Sequence, residues 1–414
     1  MAITAVQQAT QPAEWDEARV VLVSRPSIET LFGVLNTDAA NFLRPFDLDQ
    51  ARVEHDGFRR AMEARGVRVV DLRDALTGGD LDALRGAASA SLRYELDSMI
   101  GDEDRAELGE LHRHTIATLG PRALADVVML RPVLKLRPNP HAPDRTCRFL
   151  PTFEVRPADN AYFTRDPMIT TAAGAVIGRM NLAVRRPEND VAALVLGGLG
   201  ITPLLRVAPP GFLEGGDFLP AGSFCLQGQG LLSDADGIGQ LLDAGAYGEV
   251  EVAIVRDPRC QMDEMHLDTY FALYGRHLAG ICDDRLGADQ PEVDVWVPEE
   301  TPSGRRYRKT RTLGFLAYLA EKHVEVLTFT KDEQREFAAN GLLLGPMDYL
   351  AVAQAGEAFL DRLRARGVRV EPIEYRALTG GYGGPHCSSQ VLVRAERFGT
   401  FDRAPARGDG PHGA

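Results

Sequence analysis

Two short blocks recur far apart in the chain and constrain its fold more than any other feature. Ala64 to Val69 reads ARGVRV, and Ala365 to Val370 reads ARGVRV again. A second block, ALTGG, follows at Ala75 to Gly79 and at Ala377 to Gly381, eleven residues after the first opening alanine and twelve after the second. Each ARGVRV follows an amphipathic stretch with helical spacing and opens a strand-like run. The segment Gly200 to Val207 (GITPLLRV) is a weaker echo. Repeated supersecondary units imply an array of similar modules. The plainer alternative is a common helix–Gly–strand junction used twice in an Arg/Ala-rich chain. Recurrence of the second block in nearly the same register favours the array.

The first copy sits in a strand–helix–strand unit. Arg19 to Val23 is a short apolar run closed by Ser24-Arg25-Pro26, Asp47 to Arg65 has helical spacing and stops at Gly66, and Val67 to Leu72 is strand-like. Residues 1–15 read as a loose leader. Asp80 to Val128 is rich in Ala, Leu, Glu and Arg without a strand-like run, which predicts several short inserted helices. Arg131 to Pro157 is Pro-rich and reads as a linker. The resulting division is 16–80 with 129–398 as an α/β body, 81–128 as an inserted helical subdomain, and 399–414 as a flexible Gly/Pro/Arg-rich tail.

The 414 residues carry 46 Lys+Arg against 59 Asp+Glu, a net charge of −13. Such a chain is a poor non-specific nucleic-acid binder, which needs a basic stripe, but its field favours cationic substrates. No two of the five cysteines are spaced C-x-x-C, which excludes a zinc ribbon and a thioredoxin-like motif. Scattered cysteines in odd number, with neither a signal peptide nor a bilayer-spanning run, point to a cytoplasmic protein without a membrane partner. VLGGLG at 195–200 lacks the full dinucleotide fingerprint and the helix after it.

Four motifs concentrate chemically useful side chains: Asn160 to Pro167 (NAYFTRDP), Leu213 to Asp217 (LEGGD), Met265 to Thr269 (MHLDT) and Gly383 to Cys387 (GGPHC). Each alone has a structural explanation. Glu-Gly-Gly-Asp makes a turn, His-x-Asp on one strand face makes a hydrogen-bonded pair, and a lone cysteine is usually an inert core residue. Together they supply a thiol, a histidine and several carboxylates. Cysteine chemistry needs a thiolate, yet nearby carboxylates raise a thiol's pKa. A planar cation between two carboxylates resolves the conflict, because it satisfies them through paired N–H···O contacts and favours the thiolate. The residue types therefore suggest a positively charged, planar substrate, of which a guanidinium is one.

In their order along about residues 18–395, these motifs resemble the arginine deiminases of the guanidine-modifying superfamily. Glu54 to Phe58 (EHDGF) and the helical insertion also look like that family. The resemblance implies a five-bladed α/β propeller of ββαβ units, the pentein fold. It implies that Cys387 attacks the guanidinium carbon, that His266 protonates departing ammonia and then activates water, that Asp166 and Asp268 grip the guanidinium nitrogens, and that Glu214 orients His266. Asn160, Phe163 and Arg185 would meet the substrate. Metal ions and organic cofactors are not expected, and a homo-oligomer is possible. The product would be a ureido compound, such as citrulline from arginine, formed through an S-amidino cysteine. An amidinotransferase and a catalytically silent guanidine-binding homologue are the alternatives. Transferases of the superfamily tend to carry a Phe-Asp-Ala-Ala-Asp type segment where this chain has Glu214 to Asp217, which favours hydrolysis.

The chain departs from the family where a substrate carboxylate would be held. Two further arginines are expected beside Arg185, and Leu232 and Tyr382 stand in their places, with Arg376 as a substitute within reach. A buried carboxylate would lose two charge-assisted partners, each worth about 1.5–3 kcal/mol. Arginine or a related guanidino compound is the expected substrate.

Overall fold

A computed structural model describes residues 4–395 except 7, 143–145, 288 and 303. The 399–414 tail lies outside the described residues. Five times among the described residues, an antiparallel strand pair is followed by a helix and then by a strand parallel to the second of the pair. The first set joins Met168–Thr170, Ala175–Ile177 and Leu205–Arg206 around helix Pro187–Gly198. The second uses Phe218–Ala221, Phe224–Gln229 and Glu251–Arg256 around Ala235–Asp243. The third uses Phe271–Gly275, Leu278–Cys282 and Glu325–Phe329 around Phe315–Glu321. The fourth uses Leu342–Gly345, Asp348–Val352 and Arg369–Ile373 around Glu357–Arg364. The fifth joins the two ends of the chain: Ser389–Ala395 pairs with Glu17–Val23, which pairs in parallel with Arg68–Asp71 after helix Leu48–Glu63.

The repeated ARGVRV is the helix-to-parallel-strand junction of the fifth and fourth sets, and GITPLLRV is that of the first. All five junctions share one geometry. A residue with positive φ follows each helix: Gly66 (78°), Gly200 (77°), Gly245 (64°), His323 (56°) and Gly367 (83°). The next N–H then returns to a carbonyl five residues back, Val67 to Met62, Ile201 to Leu196, Ala246 to Leu241, Val324 to Leu319 and Val368 to Leu363. This is the Schellman closure, which satisfies free helix carbonyls and turns the chain into the strand.

Three expectations need correction. Residues 10–16 are no loose leader. Thr10 bridges Val393, Ala13 bridges Ala221, and Gln11 and Glu14 are buried. The inserted region holds helices Leu81–Ser91, Asp102–Thr118 and Pro121–Leu130, but also a strand, Arg93–Leu96. The Pro-rich 131–157 stretch is not a linker. Its Val133–Pro138 and Phe149–Glu154 form a sheet with Arg93–Leu96 over a small core of Ile100, Leu108 and Leu136. Proline is tolerated at such strand ends and edges, where no ladder N–H is required of it.

VLGGLG closes the helix Pro187–Gly198 instead of opening one, so it cannot be a dinucleotide turn. No helix of the described residues is long and apolar enough to cross a membrane.

Candidate active site

The four motifs lie in separate loops and are tied to one another through the backbone. The Gly215 N–H donates to the Asp166 carbonyl, and the Arg165 N–H to the Cys387 carbonyl. Asp217 Oδ1 accepts the Leu267 N–H at 2.9 Å and so holds the start of the short helix Leu267–Tyr270. His266 caps that helix, and Asp268 lies within it. They do not share a strand face, and each finds a different partner. Gly216 packs beneath His266, where a Cβ would lie 2.6 Å from Nδ1. Glu-Gly-Gly-Asp therefore does more than make a turn: it positions the imidazole at both ends.

Cys387, His266, Glu214, Asp166 and Asp268 are all buried. His266 Nε2 stands 3.1 Å from Glu214 Oε2, while Glu214 Oε1 accepts the Asn181 N–H at 3.0 Å. Burial opposes the imidazolium, but Glu214, Asp166 and Asp217 outweigh it and push the His266 pKa up to about 10. Cys387 Sγ lies 3.6 Å from Asp268 Oδ2. Burial first, then Asp268 and Asp166, hold the thiol well above its ordinary range. The resting pair is therefore imidazolium and thiol.

Asp268 Oδ2 also meets His386 Nδ1 at 2.7 Å, and Asp166 Oδ2 accepts from Arg185 Nη1 at 2.9 Å. Burial works to raise both carboxyls. At Asp268 His386, His266 and Arg165 outweigh it and hold the pKa low, whereas Asp166 stays raised despite Arg185. Oδ1 of each is buried and has no hydrogen-bond partner among the described residues. A buried carboxylate oxygen left this way costs free energy, so both are poised for a donor.

The pocket beside Cys387 is lined by Asn160, Phe163, Asp166, Arg185, His266 and Tyr382, with Asn41, Met265, Thr269 and Gly381. Leu232 is buried elsewhere and does not line it, and Arg376 is exposed. Tyr382 occupies the left-handed region at φ 77°, between two glycines.

Several supporting residues carry no sequence signal of their own. Asn340 Oδ1 accepts the N–H groups of Gly384 and Cys387, and its Nδ2 donates to the Asp268 carbonyl. Glu188 binds Arg185 through Nε and Nη2 at 3.0 and 2.8 Å. Glu54 lies within the EHDGF motif, yet its role emerges only in the fold. Its carboxylate accepts the Ala377 and Leu378 N–H groups and so pins the loop before Cys387.

Among the described residues, the grouping with metal-ligand types is Glu264, Cys282 and Asp284, none of which lines this pocket. Its carboxylates are engaged by Arg259, Arg285 and Lys331, which leaves it a structural ion-pair cluster.

Over residues 41–394 the sequence matches the arginine deiminase family. The chain belongs to that family. Arginine deiminase of Halobacterium salinarum is 25% identical, the alignment covering 94% of this chain and 96% of that protein. Arginine deiminase of Staphylococcus aureus is 24% identical, covering 91% and 96%. Among solved structures, DDAH from Pseudomonas aeruginosa complexed with citrulline matches with a TM-score of 0.53 at 14% identity, covering 90% of this chain and 99% of that one. An amidinotransferase from Microseira wollei in the saxitoxin biosynthetic pathway matches with a TM-score of 0.55 at 12% identity, covering 95% and 99%. The arginine deiminase family member described here thus shares its α/β fold with that DDAH and that amidinotransferase.

Proposed function

We propose that the protein hydrolyses a guanidine to a ureido compound and ammonia through a covalent S-amidino intermediate on Cys387. The observation that carries this reading is the pair of buried carboxylates, Asp166 and Asp268, each with one unpartnered oxygen, beside a thiol that Asp268 touches. A guanidinium between them brings N–H donors to both oxygens. Its charge offsets the field that holds the thiol protonated, so substrate binding drives the Cys387 proton out to solvent and leaves the thiolate.

The thiolate adds to the guanidinium carbon. His266 gives its proton to the departing nitrogen, which leaves as ammonia. The imidazole, now neutral and held by Glu214, takes a proton from water as that water adds to the S-amidino carbon. Collapse of the resulting hydroxyl to a carbonyl expels the Cys387 sulfur, which takes up the hydroxyl proton to restore the thiol, and leaves a carbon–oxygen bond where a carbon–nitrogen bond was. The net change is guanidinium plus water to urea plus ammonium.

The five strand–helix sets support a closed five-bladed propeller, with the buried polar residues Glu14, Arg165 and Arg394 at its centre. We place the inserted subdomain between residue 81 and the end of the Phe149–Glu154 strand, on the sheet that joins that strand to Arg93–Leu96, and the protein in the cytoplasm, on its scattered cysteines in odd number.

The test is product analysis by mass spectrometry with guanidino-labelled substrates, with and without added amines, alongside intact-mass detection of an adduct. Ureido product without an amine, and an adduct absent from Cys387→Ala, are expected. Amidination of an added amine without ureido product would make the protein a transferase instead.

A further inference from the structure

The pocket wall is poor in available positive charge. Arg185 is the one Lys or Arg among the described residues lining it. Every nitrogen of its guanidinium already meets a carboxylate, Nε and Nη2 on Glu188 and Nη1 on Asp166. His266 is bound to Glu214. Away from the reacting end the wall is neutral: Asn41, Asn160, Met265, Thr269 and Tyr382. Buried Asp159, next to Asn160, adds another acid. A carboxylate on the far end of the substrate would leave water for a wall whose lining cations are already paired with carboxylates. Asn41 Nδ2, in contrast, meets only a thioether sulfur at 3.9 Å, a weak contact that a neutral carbonyl or hydroxyl would improve.

We propose that this site takes guanidines whose tail carries no free carboxylate, with the tail packed on Phe163, Met265 and Tyr382 and any polar group on it uncharged or cationic. The proposal rests on the guanidine-hydrolase reading of the Cys387 site. Specificity then comes from the absence of an unpaired cation: a carboxylate tail loses its charge-assisted partners, while a neutral one loses nothing.

Two matched pairs test it: L-arginine against L-argininamide, and 4-guanidinobutanoate against N-butylguanidine. Rates of ureido formation are measured with the whole protein, and binding is measured by calorimetry on both wild type and Cys387→Ser. The carboxylate-free member of each pair is expected to have a kcat/KM higher by about tenfold or more, with Kd values in the same order. A carboxylate-bearing member that equals or beats its partner in either pair overturns the proposal. Failure of the hydrolase reading looks different: no ureido product and no Cys387 adduct from any of the four, with calorimetry on wild type still deciding the tail preference. Binding of none of the four overturns both.

Discussion

The side-chain carbonyl of Asn340 accepts the backbone N–H of Cys387 at 3.2 Å. The same oxygen accepts the Gly384 N–H at 2.8 Å, the Asn340 backbone carbonyl accepts the His386 N–H, and Nδ2 reaches the Asp268 carbonyl at 3.0 Å. One buried amide therefore sets the distance between the thiol and the carboxylate that controls its ionisation.

Replacing Asn340 by Leu leaves buried N–H groups unpaired, at about 1–3 kcal/mol each. We expect a lower Tm and a fall in kcat greater than the rise in KM, since the substrate does not touch Asn340. Asn340→Asp keeps an acceptor oxygen and should recover much of the stability. Its added charge should push the thiol pKa further up and move the pH–rate profile to higher pH. Thermal denaturation and pH–rate profiles of both variants are the measurements. An unchanged kcat in Asn340→Leu would rule out the positioning role.

Cys387 in the free protein is held as a thiol by burial and by Asp268 and Asp166. Asp268→Asn removes one opposing charge, which lowers the thiol pKa and enlarges the reactive thiolate fraction. Alkylation of Cys387 by iodoacetamide at pH 8 should therefore quicken by about tenfold or more, while turnover is abolished. Exposed Cys147 and Cys260 serve as internal references in peptide mass spectrometry. Slower or equal alkylation of Cys387 would mean that Asp268 does not govern the thiol.

Much of this chemistry is legible in the sequence, and what escapes has physical reasons. Cys387, His266, Glu214, Asp166 and Asp268 stand in short strings whose glycines record tight packing, as Gly216 does under His266. The ARGVRV repeat marks two of the five helix-to-strand junctions. The second and third have diverged, and at the third a histidine, His323, takes the glycine's backbone conformation, which composition alone does not betray. Asn340 and Glu188 act through hydrogen bonds whose partners only the fold defines. Glu14 reads as part of a leader because a polar residue near a chain end is ordinarily solvated. The Val133–Pro138 strand is hidden by prolines at its ends, Pro132 and Pro138, and by Pro151 in the edge strand paired with it.

Glu54 and the Ala377–Tyr382 loop give a separate test of how the nucleophile's approach is shaped. Glu54→Ala frees two buried N–H groups and should cost about 1–3 kcal/mol of stability for each. The loop carries Tyr382, so KM should rise more than kcat falls. Glu54→Gln retains an acceptor and should sit between that variant and wild type. Chemical denaturation with steady-state kinetics reads both effects, and an unaltered KM in Glu54→Ala would uncouple the loop from substrate binding.

His266 couples the site to alkaline stability. Its folded pKa of about 10 exceeds the ordinary 6.5, because Glu214, Asp166 and Asp217 overcome burial. A raised pKa means that the folded state holds the proton more tightly. The stabilisation is fully present below about pH 6.5 and is lost as the pH rises through about 10. Glu214→Gln removes the main attraction, so its Tm should fall less steeply than that of wild type between pH 6.5 and 9. Parallel slopes would show that Glu214 does not set the imidazolium.

Glu14 makes the opposite case at the acid end. Burial works to raise its carboxyl, but Arg394, His386 and Arg165 outweigh it and bring the pKa down to about 2. Its stabilisation is present above the ordinary 4.5 and is lost as the pH falls through about 2. Arg394 is fully buried, with Nη2 on Glu14 Oε2 at 3.1 Å, so Glu14→Gln strands its charge at a cost of about 3–5 kcal/mol at neutral pH. The gap in stability between Glu14→Gln and wild type should be largest near pH 7 and shrink steadily below pH 4.5, because acid does to wild type what the substitution does at every pH. Urea denaturation across that range measures it. A gap independent of pH would mean that the glutamate is held for its shape and not for its charge, and that the N-terminal arm is fixed by its backbone bridges to Val393 and Ala221 alone.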